Sequence, residues 1–413
     1  MFVNTAGEVV SLGCRLNHAE SETIRAMIVG RDTVVVNSCA VTAEAVKQTR
    51  AAIRRARRDR PGAEIVVTGC AATIDPAGFA GMPEVARVVA NDVKLSPASW
   101  GATALPAPAS TGHARALVEV QNGCDHACTF CIIPQGRGAS RSMPAGGVIE
   151  RVAALVAAGH QEVVLTGVDL TSYGPDLPGA PTLGMLVERI LTHVPALARL
   201  RLSSLDSVEI DERLFELIVG EPRVAPHLHL SLQAGNDLIL KRMKRRHLRA
   251  QSVALVNAIK ARRDVAIGAD LIAGFPTEDD GMAADTLALL DDCDIVHAHI
   301  FPYSPRAGTP AARMPQVGAA VARARAAVLR ETAARRKRSW LSGLVGTTQQ
   351  VLVEKPGDRG HAGNFAEVRF PPFVPSEVEG PVPRPRSART EVGRICTIPI
   401  TAAHDTYLEG TPA

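Results

Sequence analysis

The sequence predicts an α/β chain in three units: an amino-terminal domain with a parallel sheet, a central partial (β/α)6 barrel and a small carboxy-terminal β-barrel. Three observations carry this. Near the start, three short β-branched runs each lead at once to a cysteine: Val9-Val10-Ser11-Leu12 before Cys14, Thr33-Val34-Val35-Val36-Asn37 before Cys39, and Glu64-Ile65-Val66-Val67-Thr68 before Cys70. From Ala114 onward, six strand-like runs alternate with long helical stretches. Past a long basic helix, short strand-like runs return without helices between them. Buried strands alternating with helices imply βαβ units and parallel sheets, and a run of short strands implies a small all-β unit.

In chain order, residues 1–96 form the first α/β unit. Residues 97–113 are rich in Ala and Pro, lack apolar periodicity and read as a linker. The central unit covers 114–344, with strands expected at 116–121, 162–166, 199–203, 227–231, 266–272 and 295–301. Its last helix is expected over 319–344. The third unit covers 345–405, with strands at 347–354, 365–370 and 394–401, and 371–385 as a proline-rich loop.

The strongest chemical signal is Gly123-Cys124-Asp125-His126-Ala127-Cys128-Thr129-Phe130-Cys131, a Cys-x3-Cys-x2-Cys run placed after the first core strand. Three thiolates on one loop can hold three corners of an iron–sulfur cube and leave one iron open to a small molecule. A zinc site with His126 as fourth ligand is the alternative. Cys14, Cys39 and Cys70 form a second set. Loops leaving the carboxyl ends of parallel strands converge on one rim, so these three can meet despite their separation. The plainer reading is three unrelated post-strand cysteines. Cys293 and Cys396 read as core or incidental thiols.

The Cys-x3-Cys-x-aromatic-Cys motif, with Phe130 as the aromatic, resembles the signature of the radical S-adenosylmethionine (SAM) enzymes. With the Cys14, Cys39 and Cys70 motifs, nearly the full chain resembles the radical SAM methylthiotransferases: a three-cysteine domain, a radical SAM core and a TRAM-like RNA-binding β-barrel. Gly13-Cys14-Arg15-Leu16-Asn17 and Phe301-Pro302-Tyr303-Ser304-Pro305-Arg306 look most like the MtaB branch. Two departures stand out: the segment between the first two cysteines is short, and Thr73 stands where Gln is usual.

The resemblance implies two 4Fe–4S clusters, on Cys14, Cys39 and Cys70 and on Cys124, Cys128 and Cys131. It implies SAM as both methyl donor and radical source, and methylthio transfer to C2 of N6-threonylcarbamoyladenosine in tRNA. It places Asp169, in Gly167-Val168-Asp169, at the SAM amino group. Ser203 and Gln233 end strands near the ribose, and Asp270 lies in the Gly268–Gly274 run expected to let backbone approach the adenine. Arg245 is the candidate for the SAM carboxylate, with an RNA phosphate as its rival, and Phe130 lies along the adenine or beside the cluster. Arg306 is the candidate cation for the substrate's carboxylate, or else a surface arginine. An electron donor and a sulfur source are further partners. The same chemistry on isopentenyladenosine tRNA or on a ribosomal-protein aspartate is the near alternative; an RNA-binding iron–sulfur carrier without SAM chemistry is the distant one.

The 413 residues, 46% hydrophobic, suffice for two or three domains with their own cores. Eight cysteines without a dense paired pattern argue against a secreted disulfide scaffold. Without a signal-like start or an apolar run near the roughly twenty residues that span a bilayer, the expectation is a cytoplasmic protein with no membrane partner. Net charge is only +4, but arginines and lysines cluster at 50–60, 241–249 and 335–338, where they would meet phosphates or form solvated helix faces.

Overall fold

A computed structural model describes residues 7–104, 113–372 and 391–412. The first unit is a parallel sheet in chain order: β1 (Glu8–Ser11), β2 (Thr33–Ser38), β3 (Glu64–Gly69) and the two-residue β4 (Arg87–Val88). Its strands are continuous apolar runs because both faces are covered. Val34, Val36, Ile65 and Val67 pack with Ile53 and Ala56 of the helix Ala43–Asp59. Val35 and Val66 face the other way, onto Ile24 and Met27 of α1 (Arg15–Met27) and onto Trp100. Trp100 lies in the segment read as a linker. There Pro97–Trp100 makes a 3-10 turn, and the indole, 1% exposed, donates to the Lys94 carbonyl at 2.6 Å. Residues 105–112 lie outside the described residues, as does most of the proline-rich loop.

The central unit has six parallel strands in chain order: β5 (Arg115–Glu119), β6 (Glu162–Thr166), β7 (Arg199–Leu202), β8 (His227–Gln233), β9 (Ala266–Ala273) and β10 (Ile295–Pro302). The ladder breaks at Ser203: β5–β6–β7 form one sheet, and Ser204–Leu205 resumes the pairing with β8, followed by β9 and β10. Among the described residues β10 does not pair with β5. This is the expected partial barrel. Outward residues such as Leu200, Leu202, Leu228, Leu230 and Leu232 build one apolar core with the surrounding helices. The alternate positions carry Arg199, Arg201, His227, His229, His297 and His299, so period-2 alternation makes a polar inner wall.

The third unit is a closed five-stranded barrel, ordered Thr348–Glu354, Arg359–Ala362, Glu367–Arg369, Leu408–Gly410, Ile395–Ala403. Two of these strands, Arg359–Ala362 and Leu408–Gly410, escape a propensity reading because they are short and hold Gly or charge. The barrel docks on the starting ends of the core strands. Arg199 donates to the Gln350 carbonyl at 2.8 Å, and Arg201 to those of Ala362 and Gly363 at 3.3 and 3.1 Å. The Phe365 ring stacks on His227 at 5.0 Å.

Glu162, fully buried, is the hub of this floor. Its carboxylate accepts from Arg201 Nε at 2.8 Å and from Arg199 Nη1 at 3.0 Å, with Arg115 Nε at 3.6 Å. Burial alone would raise its pKa; the guanidiniums of Arg201, Arg199 and Arg115 outweigh burial and hold it at about 2, against the usual 4.5. A depressed carboxyl stabilises the fold fully above its unfolded pKa and loses that contribution as pH falls through the folded one. We therefore expect this contribution to be complete above pH 4.5 and to drain away toward pH 2. Glu162→Ala strands buried cations and should cost about 3–5 kcal/mol, read as a lower denaturation midpoint.

Candidate metal centres and cofactor pocket

Three cysteines leave the sheet of the first unit at one rim. Cys14 follows β1 and caps α1, Cys39 follows β2, and Cys70 opens the short helix Cys70–Ile74 after β3. Gly13 holds a left-handed φ of 90°, and a Cβ there would lie 2.6 Å from Cys39 Sγ, so only glycine admits this approach. The Asn17 amide knits the exits together, donating to the Leu12 carbonyl at 2.7 Å and to that of Ser38 at 2.9 Å. Thr73 donates to the Gly69 carbonyl at 3.1 Å and accepts from Asn91 N at 3.0 Å, tying the exits of β3 and β4. Burial raises the Cys39 thiol pKa, and the neighbouring Cys14 and Cys70 push the same way.

The second trio sits on the loop after β5. Gly123, at φ 74°, lets the loop turn: a Cβ there would lie 1.8 Å from the Ala139 carbonyl oxygen. Burial, with neighbouring thiols adding, raises Cys124 to about 12 and Cys131 to about 11. Such thiols ionise only if a cation stabilises them, as metal ligation does. Among the described residues neither trio has its sulfurs all within 4.8 Å of one another. A single zinc, with bonds of about 2.3 Å, would need them at roughly 3.8 Å. His126, the alternative fourth ligand, has its ring nitrogen within 4.8 Å of Cys124 Sγ and of the Asp169 carboxylate, a group that could hold a metal ion, and turns to Asp169 Oδ2 at 2.5 Å and Arg246 Nη2 at 2.7 Å. Its pKa is raised to about 10, mainly by the Asp169 hydrogen bond.

The two trios face each other across the seam between the units. Cys70 acts electrostatically on Cys131, and Ile132, 4% exposed, joins the apolar cluster of the amino-terminal sheet. Next in sequence, the helix Ile133–Arg137 leads into a buried ionic network. Arg137 Nη1 and Nη2 donate to the two Glu20 carboxylate oxygens at 2.9 and 3.0 Å, and Nη2 also reaches Asn17 Oδ1 at 2.5 Å. Lys94 Nζ meets Glu20 at 2.5 Å, and Asn122 adds a donor at 3.2 Å. Burial would raise the Glu20 pKa, but Lys94 and Arg137 bring it below its usual value.

The expected cofactor residues divide by position. Asp169 lies 3.8 Å from Cys124 Sγ and accepts from Ser172 Oγ at 2.8 Å. Arg245 lies 3.6 Å from Cys128 Sγ, pairs with Asp206 at 2.8 Å and donates to the Ser231 carbonyl at 2.9 Å, while its buried Nε has no partner. Ser203 Oγ is likewise buried and unpartnered, whereas Ser204 bonds Ser231. Gln233 ends β8 at a left-handed φ of 66°. Phe130 meets Phe275 edge-on at 6.4 Å. Asp270 sits between His229 Nε2 at 3.0 Å and His299 Nδ1 at 3.2 Å. Gly274, expected to let backbone approach the adenine, also lies in close packing: a Cβ there would lie 2.3 Å from that of Ala322. Arg306 follows β10, with its Nε buried and unpartnered. Its loop is tied to the cysteine loop by Ala311 N donating to the Thr129 carbonyl at 2.9 Å.

Sequence reasoning quoted Glu20 only as part of the first cysteine motif and missed its buried network with Lys94 and Arg137, as well as the Glu162 hub. The available signal was charged residues inside apolar strands and helices. It also overstated the basic groups. Arg50, Arg60, Arg249 and Arg336 are held by Asp75, Asp32, Asp292 and Asp291, and Arg245 and Arg246 by Asp206 and Glu209.

Residues 118–290 match the Radical SAM superfamily, and residues 7–90 match Uncharacterized protein family UPF0004. The threonylcarbamoyladenosine tRNA methylthiotransferase MtaB of Rickettsia prowazekii (strain Madrid E) is 44% identical over 391 residues, 90% of this chain and 93% of that protein. The MtaB of Chlamydia pneumoniae is 34% identical, covering 88% and 91%. A tRNA-2-methylthio-N(6)-dimethylallyladenosine synthase of Maricaulis maris (strain MCS10) is 29% identical, covering 98% and 96%. Among solved structures, the radical SAM methyltransferase TsrM of Kitasatospora setae aligns with a TM-score of 0.51 at 16% identity, over 68% of this chain and 64% of that one; this likeness speaks to fold alone.

Replacing Glu20 with Ala leaves Lys94 and Arg137 buried without their carboxylate. We expect a loss of about 3–5 kcal/mol concentrated at the seam. Hydrogen exchange should quicken in α1 and in Ile133–Arg137 before it does in β6 to β9. Uniform protection across both regions would refute this.

Proposed function

The chain belongs to the radical SAM methylthiotransferases of the MtaB type, and from that premise we propose that it transfers a methylthio group to C2 of N6-threonylcarbamoyladenosine in tRNA, next to the anticodon. The observation that carries the reading is the packing of the two cysteine sets across one seam: Ile132, next to Cys131, clusters with Cys70, and a Cβ on Gly136 would lie 3.1 Å from that of Cys70. Radical formation and sulfur delivery must act on one carbon, so their ligand sets must open onto one space.

Cys124, Cys128 and Cys131 would hold one 4Fe–4S cluster, and Cys14, Cys39 and Cys70 the other. When bound, these clusters and SAM supply the electron, the hydrogen-abstracting radical, the sulfur and the methyl group. The chain's own residues bind and orient. Asp169 would accept the SAM amino group beside Cys124, giving up part of its contact with His126. Arg245, with Nε free beside Cys128, would receive the carboxylate. Ser203 and Gln233 would meet the ribose, and Phe130 would lie along the adenine. Asp270 would take a polar group from below, between His229 and His299. The carboxy-terminal barrel is read as a TRAM-like RNA-binding unit; it runs past the expected end at residue 405 to the strand Leu408–Gly410, and the first unit runs past residue 96 to Trp100. An external electron donor and a sulfur source complete the reaction. No helix among the described residues is long and apolar enough to cross a membrane, and cluster thiolates need reducing surroundings, which supports a cytoplasmic site of action.

The combined Cys14→Ala, Cys39→Ala, Cys70→Ala variant should retain about four irons and still form 5′-deoxyadenosine, while making no methylthio product. Loss of 5′-deoxyadenosine in that variant would sink the division of labour.

The threonylcarbamoyl group brings a carboxylate, and an isopentenyl group would instead ask for an apolar wall. Arg306, unpaired at Nε beside the cysteine loop, would supply the matching cation. Arg306→Ala should lower turnover of threonylcarbamoylated tRNA about ten- to a hundredfold, while SAM cleavage without tRNA is unchanged. A wild-type preference for isopentenyladenosine tRNA would overturn the substrate assignment.

A further inference from the structure

A cavity of about 1150 Å³ lies where the three units meet, between α1, β5 and the carboxy-terminal barrel. Its wall is strongly basic. Arg15, Arg25, Arg115, Arg151, Arg201 and Lys355 line it, with four histidines, against two carboxylates, Glu22 and Glu354. Those carboxylates are already committed: Glu22 pairs with Arg25, and Glu354 with Arg115 and His361. Glu162, just behind the wall, is taken by Arg115, Arg199 and Arg201. Among the described residues Arg15, Arg151 and Lys355 have no carboxylate within ion-pair distance. Arg15 only overlies the Phe365 ring, at 5.4 Å.

Two further buried nitrogens of the lining, Arg151 Nε and His160 Nε2, have no hydrogen-bond partner among the described residues. His160 is only 7% exposed. Unpaired buried polar groups are costly and rare, and their gathering beside cations without a carboxylate points to an anionic ligand. Phosphate oxygens satisfy guanidinium forks and imidazole N–H groups together. The volume exceeds what a lone ion or a typical small ligand fills, and Lys355 is exposed. A stretch of a polymer suits that space better.

We propose that this cavity is a backbone-phosphate site for RNA, engaging a part of the tRNA other than the modified base. The RNA assignment rests on the tRNA-modifying function proposed above. The anion chemistry stands apart from it. Arg151 and Lys355 are the residues to test, because among the described residues neither has a side-chain hydrogen-bond or ion-pair partner whose loss would confuse the result.

The test uses the full-length, cluster-loaded enzyme. Binding of threonylcarbamoylated tRNA is measured across a salt series for wild type, Arg151→Gln, Lys355→Gln and the double variant. Each removed phosphate contact should lower the slope of log affinity against log salt by roughly 0.7–0.9. The double variant should bind about tenfold more weakly at low salt. Its thermal midpoint and its SAM cleavage without tRNA should match wild type, since no internal partner is lost. An unchanged slope in all variants overturns the proposal. So does an unchanged slope combined with adenosine monophosphate binding that the variants abolish, because the site would then serve a free nucleotide. Methylthiolation is assayed in parallel. If wild type fails to modify this tRNA, the substrate assignment falls, while the salt slopes still decide whether the cavity holds phosphate.

Discussion

One carboxylate, Glu20, sets the geometry on which the reaction centre depends. It lies 1% exposed between Lys94 of its own unit and Arg137 of the next. Removing three charges from water is expensive, and such a cluster adds little net stability over an apolar seam of equal shape. What it adds is register. A greasy seam would tolerate sliding, whereas a carboxylate fixed by two Arg137 donors, Lys94 and Asn122 accepts one arrangement. Asn17 extends that control: it receives Arg137 on one side and ties the strand exits beside Cys14 and Cys39 on the other. The chain that positions one cysteine trio therefore also positions it against the second. Arg137 lies only six residues past Cys131, so the cysteine loop brings its own anchor.

The same device recurs at the opposite end of the core. Glu162 gathers Arg115, Arg199 and Arg201, and two of these reach on to backbone carbonyls of the small barrel. Both seams thus set one buried carboxylate among several cations: Arg137 and Lys94 at the first, three arginines at the second. Cations outnumber carboxylates at the floor, which leaves positive charge facing the cavity there. The Phe365 ring, with Arg15, Arg115 and Arg201 all within 5.4 Å of its centroid, spreads that charge over an aromatic face.

Local signals made the architecture legible. Thr33-Val34-Val35-Val36 and Glu64-Ile65-Val66-Val67 read as strands because both faces are buried, and a cysteine after each strand lands on the rim by topology alone. The six core strands were readable by a different signal, short runs in which at least every second residue is apolar, set between helical stretches. The long-range partners were not readable, since nothing near Glu20 in sequence announces Lys94 or Arg137. Trp100 shows a second limit. An Ala- and Pro-rich stretch resembles a linker, yet one large side chain within it completes the core beneath β2 and β3. Gly274 shows a third: a left-handed glycine signals close approach, but sequence does not say whether a ligand or the Ala322 methyl approaches.

Charge is where local reading misleads most. Runs of arginine at 50–60 and 335–338 draw the eye, but helical spacing sends many of these side chains to acids on neighbouring elements, and an arginine held by Asp75 or Asp291 is poorly available to phosphate. The cations left without a partner are scattered instead: Arg15 on α1, Arg151 on the helix Ala145–Ala157, and Lys355 past the strand Thr348–Glu354. No window of sequence contains them together. They converge because the Glu20 and Glu162 seams fix three units around one space, so the positive field of this protein is a property of its domain arrangement rather than of any basic segment.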